Sequence, residues 1–256
     1  MSFLGRRMFG VAFIAFGLLQ FLYGDFIPGR AQAWPAAMAG RLIWAYATGA
    51  LFVLAGAAIV AGRKPRVAGF LIAALVFAWA VTRNVAPALA DHSFGTPWTA
   101  LGKGIALCGG ALAVVGSATG RFDGGHKPIG VVLLAARLMF AVYLIDSGIQ
   151  HYLFTDFVKL LIPAWIPQPR AWTYVAGAAL FSGGIGLIVP KTTRLAGTLV
   201  GLMIFTWFCI LHIPRALAAA PAAQRNEWTA VFEALAFSAT AFMLTQGAAA
   251  EVRRRS

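Results

Sequence analysis

Charge is scarce in this chain and acid scarcer still: 11% of the 256 residues are charged, and 8 Asp and Glu stand against 21 Lys and Arg. A soluble domain carries roughly 25% charged and 45–50% apolar residues, whereas here 60% are hydrophobic and the mean hydropathy is +0.78. A water-soluble globular domain is therefore excluded. Cysteine is also sparse. Cys108 and Cys209 each stand alone inside an apolar run, which leaves no Cys-x-x-Cys pair for thiol–disulfide chemistry. No closely spaced His, Cys and carboxylate set matches a zinc site, and His151 with His212 is too weak a signal to assign haem. No serine-centred nucleophile motif is present. The Gly-rich stretch 119–128 lacks the Gly-Lys-Ser/Thr ending of a phosphate loop and reads as a turn. The formal charge of +13 would suit nucleic acid were it clustered. The basic residues are instead spread through short loops, with no basic and aromatic patch on which bases would stack.

What the chain has instead is apolar length. A membrane-spanning helix needs about 20 apolar residues, and such runs lie near 8–27, 42–61, 67–90, 98–118, 129–153, 171–189, 194–218 and 228–246. In a bilayer each run satisfies its backbone polar groups internally as a helix. The expected fold class is all-α integral membrane, with eight transmembrane helices. Arg6 and Arg7 ahead of the first run resemble a signal peptide, but no convincing small-residue cleavage site follows, and the run is kept as a mature helix. One face carries Arg6, Arg7, Arg63, Lys64, Arg66, Arg121, Lys127, Arg137, Lys191, Arg194, Arg253, Arg254 and Arg255; the other carries only Arg30, Arg41, Lys159, Arg170, Arg215 and Arg225. The positive-inside rule then puts the first face and both termini in the cytoplasm, of a bacterial inner membrane.

The sequence also repeats itself. At an offset of 128, Trp44 matches Trp172, Tyr46 matches Tyr174, Gly49 matches Gly177, Gly56 matches Gly184, Phe77 matches Phe205 and Trp79 matches Trp207. At an offset of 130, Gln20 matches Gln150 and the run Trp98-Thr99-Ala100 matches Trp228-Thr229-Ala230. Leu and Ala coincide by chance between apolar segments; tryptophans do not. The chain divides into two tandem four-helix bundles, residues 1–124 and 125–256. With an even number of helices in each, the copies share an orientation and a pseudo-two-fold axis along the membrane normal. Loops rich in Pro and Trp, from Ile27 to Pro35 and from Ile162 to Pro167, are expected on the outer surface as interfacial anchors. Gly109-Gly110, Gly183-Gly184 and the Gly197/Gly201 spacing point to close helix packing.

Ionisable groups inside the spans carry whatever chemistry there is, because each costs roughly 2.5–3.5 kcal/mol to insert and needs a partner or a cavity. The second copy has Asp146 and Glu233, the first Lys103 and Arg83. Asp146 and Gln150 are four apart and share a helix face, while His151 is turned about 100° away. At about 1.5 Å per residue, Asp146 lies roughly 10 Å and Glu233 roughly 8 Å inside the outer ends of their helices. A bundle core would gather them. The expected site is a polar pocket in the outer half of the second copy: Asp146, His212 and Glu233 for proton chemistry, with Gln150, His151 and Trp207 binding a ligand. At an offset of 130, Phe16, Phe21 and Lys103 stand in the first copy for Asp146, His151 and Glu233, which makes the first copy a degenerate scaffold. The competing reading is structural, with Asp146 and Glu233 paired to Arg83, Lys103 or a histidine to hold the copies in register.

The second copy reads Gly148-Ile149-Gln150-His151, then Ile162-Pro163-Ala164-Trp165-Ile166-Pro167, then Gly183-Gly184-Ile185-Gly186-Leu187, and ends Leu211-His212-Ile213-Pro214-Arg215. In order and spacing this resembles the DoxX family of small four-helix bacterial membrane proteins over most of 137–246, and more faintly over 7–118. A Glu that often precedes the family's glycine pair is replaced by Leu180, and by Phe52 in the first copy, so any role for that Glu is lost. The resemblance implies association with a membrane redox complex, membrane or soluble redox proteins as partners, and quinone as the ligand; no covalent or metal cofactor motif accompanies it. Three readings follow: a quinone-binding subunit of a redox complex, a small-solute binding or transport protein, and a non-catalytic assembly or chaperone subunit.

Overall fold

The computed structural model describes residues 2–27, 34–35, 37–118 and 127–245. Residues 28–33 of the first Pro/Trp loop, the turn at 119–126 and the basic run Arg253-Arg254-Arg255 lie outside the described residues. Every regular element among the described residues is helical: α1 (Ser2–Tyr23), α2 (Arg41–Val60), α3 (Pro65–Trp79), α4 (Val85–Ala90), α5 (Thr96–Ser117), α6 (Lys127–Leu153), α7 (Thr155–Val158), α8 (Pro169–Ile188), α9 (Thr193–Trp207), α10 (Ile213–Ala218) and α11 (Pro221–Leu244). Proline opens α3, α8 and α11, where its missing N–H costs nothing.

Seven rods are long and apolar enough to cross a membrane: Ser2–Tyr23, Arg41–Val60, Pro65–Ala90, Thr96–Ser117, Ile129–Leu153, Pro169–Ile188 and Thr193–Ala218. The chain is a helical membrane protein. The eighth expected run, 228–246, falls in α11, which is not among the seven. Arg225, Glu227 and Glu233 lower its hydropathy; the first two are ion-paired near the helix start, and burial accounts for the tolerance of Glu233. Between Thr229 and Leu244 every residue except Phe232 is buried. A helix walled by protein rather than lipid need not be uniformly apolar.

Two rods share an irregularity. Five residues of π-helix, Ala80–Asn84, join α3 to α4, and another five, Phe208–His212, join α9 to α10. Corresponding residues in the two segments are 128 apart, the offset at which the sequence repeats. Each segment is followed within a few residues by a proline, Pro87 or Pro214, whose ring cannot donate to the preceding turn and clashes with it. Insertions of this kind absorb the misfit.

Helix contacts define the layout. In the first copy α1 packs on α2, α2 on α3, and α3 on α5; in the second α6 packs on α8, α8 on α9, and α9 on α11. Each copy's first helix then lies against the other copy's last helix, α1 on α11 and α6 on α5, and α5 meets α11 in the middle. Self-contained bundles would close by joining α1 to α5 and α6 to α11. The two copies instead interlock. Glycines set the closest approaches: a Cβ at Gly56 would meet the Gly10 carbonyl at 2.6 Å, and one at the equivalent Gly184 would meet the Ala141 carbonyl at 2.8 Å. Gly109 faces the Ala136 carbonyl and Gly197 the Ala241 carbonyl, so the glycines singled out in the sequence do mark close helix contacts.

Candidate functional site

Interlocking decides where the candidate residues go. Asp146 and Gln150 share one face of α6, as their spacing requires, but that face meets α5 of the first copy. A Cβ at Gly102 would lie 2.7 Å from Asp146 Oδ2. Both Asp146 oxygens are enclosed and neither has a hydrogen-bonding partner. One turn further along, Gln150 is fully engaged. Its Oε1 accepts from Thr99 Oγ1 at 2.7 Å, and its Nε2 donates to the Phe94 carbonyl at 3.1 Å. The glycine at position 102 is what lets the carboxyl reach the α5 backbone.

Glu233, only 3% exposed, takes a salt bridge from Lys103 Nζ at 2.6 Å. Each lies five residues beyond its copy's matched tryptophan, Trp228 or Trp98, so the pair joins positions of α11 and α5 that are equivalent in the sequence repeat. Of the pairings open to Glu233 in the sequence, the geometry realises the one with Lys103. Lys103 is accordingly part of the site's frame.

Asp146 and Glu233 nonetheless sit near one level. Tyr143 of α6 and Phe237 of α11 touch with ring centroids 4.7 Å apart. Asp146 is three residues further along α6 and Glu233 four residues back along the oppositely directed α11. At about 1.5 Å per residue, both lie about one turn from that contact in the same direction. Consecutive residues of α5, Gly102 and Lys103, therefore address the two acids. The hub is a first-copy helix.

The remaining candidates are placed differently. His151 turns toward α8: its Nδ1 hydrogen-bonds the Ser147 carbonyl at 2.7 Å, and its Cβ packs against Gly177. Trp207 and His212, both half-buried, bracket the second π segment. The structure thus joins Asp146 and Gln150 to Thr99 and Gly102, joins Glu233 to Lys103, and sets His151 on a separate face. Among the described residues no group of three or more His, Cys, Asp or Glu side chains could hold a metal ion.

Sequence reading missed Thr99 and Gly102, because the run containing Thr99 served only to align the repeats. It also missed an ion cluster at the end of α1 and the starts of α2 and α11. Asp25, 8% exposed, binds Arg41 and Arg225 at 2.7 Å each and accepts from the Phe26 N–H at 2.8 Å. Burial works to raise its carboxyl, but the Phe26 N–H and the two guanidiniums prevail and hold it below the usual range. The signal was available: with 8 acids in 256 residues, an Asp directly after a membrane helix calls for a partner.

A family model described as a domain of unknown function (DUF8561) matches residues 140–239. The match runs from within α6 to within α11 and encloses Asp146, Gln150, His151, Trp207, His212 and Glu233, but none of α5. No curated protein and no solved structure matches the chain.

Proposed function

We propose that the chain is a DoxX-like subunit of a quinone-linked membrane redox complex in a bacterial inner membrane, and that it holds a quinone head group at the seam between α5 and α6. Eight spans with both termini cytoplasmic complete the reading, α11 being the span shielded from lipid by α1, α5 and α9. The observation that carries the function is Asp146. An enclosed polar group without a partner costs roughly 1–3 kcal/mol, so such a group is retained where it is used, and intramembrane acids are functional by default. A bound quinone supplies a couple that takes up two electrons and two protons. Asp146, with neither oxygen committed, exchanges a proton there. Glu233 is a positioning residue, fixed by Lys103, and Gln150 with Thr99 holds the α5–α6 seam beside the acid. His212 and Trp207, at the second π segment, are the remaining candidates to be tested.

Titration of the purified protein with a short-chain quinone, followed by tryptophan fluorescence, tests this. Wild type should saturate, Asp146→Asn should lose at least tenfold in affinity, and His212→Ala reads the contribution of the π segment. No saturable binding in wild type sinks the proposal. A second reading, small-solute transport, draws on the matched π segments, since interrupted helices at corresponding places in two repeats are the usual pointer to a transport site. Solute flux through proteoliposomes that is indifferent to Asp146→Asn would favour it.

A further inference from the structure

The Asp25 cluster shares no residue with the Asp146 seam and owes nothing to the quinone reading. Its elements are the end of α1, the start of α2 and the start of α11, where the helix connections cross. Two guanidiniums share one carboxylate there, Arg41 Nη2 and Arg225 Nη1 each 2.7 Å from Asp25 Oδ2. Arg225 Nη2 also donates to the Phe26 carbonyl at 3.0 Å. Arg41 Nε is enclosed and has no hydrogen-bonding partner. One unit of positive charge is left over. A third guanidinium, Arg83, lies 4.7 Å from the Trp34 ring, and Trp34 stacks on Phe26 at 4.2 Å between centroids. Basic groups and an aromatic wall thus meet at one place.

The second copy supplies a comparison within the molecule. Asp156 likewise pairs with two cations, Lys159 and Arg170, at 2.6 Å each. There the carboxylate is 78% exposed, so water solvates the surplus charge, and Leu211 stands where the first copy has Arg83. Among the described residues only the first copy combines enclosure, surplus charge and aromatic cover.

We propose that this cluster binds a phosphate-bearing anion, either the head group of an anionic phospholipid or a free phosphate. Guanidinium forks match phosphate oxygens bidentately. Arg41 and Arg225 would donate to it, and the Phe26–Trp34 stack would support the carbon portion of a lipid. The connection-bearing end of the helices is the level at which head groups lie.

The full chain is purified in neutral detergent with equimolar phosphatidylglycerol and phosphatidylcholine, and retained lipid is read by native mass spectrometry. Wild type should keep phosphatidylglycerol at least tenfold over phosphatidylcholine. Arg225→Gln should bring the two to parity. Because that variant also loses a tie to Asp25, Asp25→Asn is the sharper test: it removes the competing carboxylate, so retention should rise several-fold even as thermal stability falls. A purely structural clasp would show no lipid preference in wild type and no gain in Asp25→Asn, and that result overturns the proposal. Inorganic phosphate at millimolar concentration, against chloride at matched ionic strength, separates the sources. Displacement of phosphatidylglycerol by phosphate, or a phosphate-dependent rise in melting temperature without lipid retention, assigns the site to free phosphate. Lipid retained against phosphate assigns it to the membrane.

Discussion

Reversing the central ion pair tests the interlocked architecture. Glu233 is 3% exposed and Lys103 sits 2.6 Å from it, so removing either partner breaks an ion pair inside the bundle. Breaking a buried pair in this way costs about 3–5 kcal/mol. At about 2–4 °C per kcal/mol for a chain of this size, the midpoint of thermal unfolding should drop by about 6–20 °C. Lys103→Met and Glu233→Gln should each show a loss of this order. The double reversal Lys103→Glu with Glu233→Lys is the informative variant. Since the two positions are equivalent in the repeat and face each other from α5 and α11, the exchanged charges should pair again and recover most of the loss. Unfolding followed by tryptophan fluorescence in detergent, run as a double-mutant cycle with Lys103→Glu and Glu233→Lys as the single variants, gives the coupling directly. If the reversal is as unstable as the sum of the two single changes, the pair does not span equivalent sites and the interlocked packing is refuted.

Asp146→Asn should hold or raise the melting temperature while weakening quinone binding, a separation of stability from function expected of an unpartnered enclosed acid; a fall in both would make Asp146 structural. Gly102→Leu should exclude the Asp146 carboxyl from α5 and cost about 1–3 kcal/mol by overpacking, read as a lower melting temperature. For Asp25, whose carboxyl lies below its ordinary value in the folded protein, the stabilisation is present above about pH 4 and is lost as pH falls through the depressed value. Wild-type melting temperature should therefore drop on acidification below about pH 4 more steeply than that of Asp25→Asn. Gly184→Leu should open the α6–α8 contact and prevent folding outright, checked by monodispersity on size exclusion.

Much of this was written in the chain, and the losses have identifiable causes. Apolar runs located the rods, and the tryptophan and glycine matches gave the repeat that the two π segments reproduce at the same offset. Hydropathy describes lipid exposure, so it dims for α11, whose neighbours are other helices. The pairing of α1 with α11 and of α5 with α6 was not legible, because a four-helix repeat closes equally well on itself or on its twin, and nothing in local periodicity chooses. That ambiguity carried into the site. Asp146, Gln150 and Glu233 were recognised as a set, but their partners Thr99, Gly102 and Lys103 come from the other copy. His151 fell away from them because one residue of helix turns it toward α8. The Asp25 cluster was overlooked because it joins residues 25, 41 and 225, which no motif connects.

The most direct measurement is photolabelling with an azido-quinone in proteoliposomes, with the labelled peptides mapped by mass spectrometry. Label confined to residues 99–103 of α5 and 143–150 of α6, competed by unlabelled quinone and abolished in Asp146→Asn, is the expected result. Label scattered over lipid-facing helices and insensitive to competitor would contradict a quinone site at this seam.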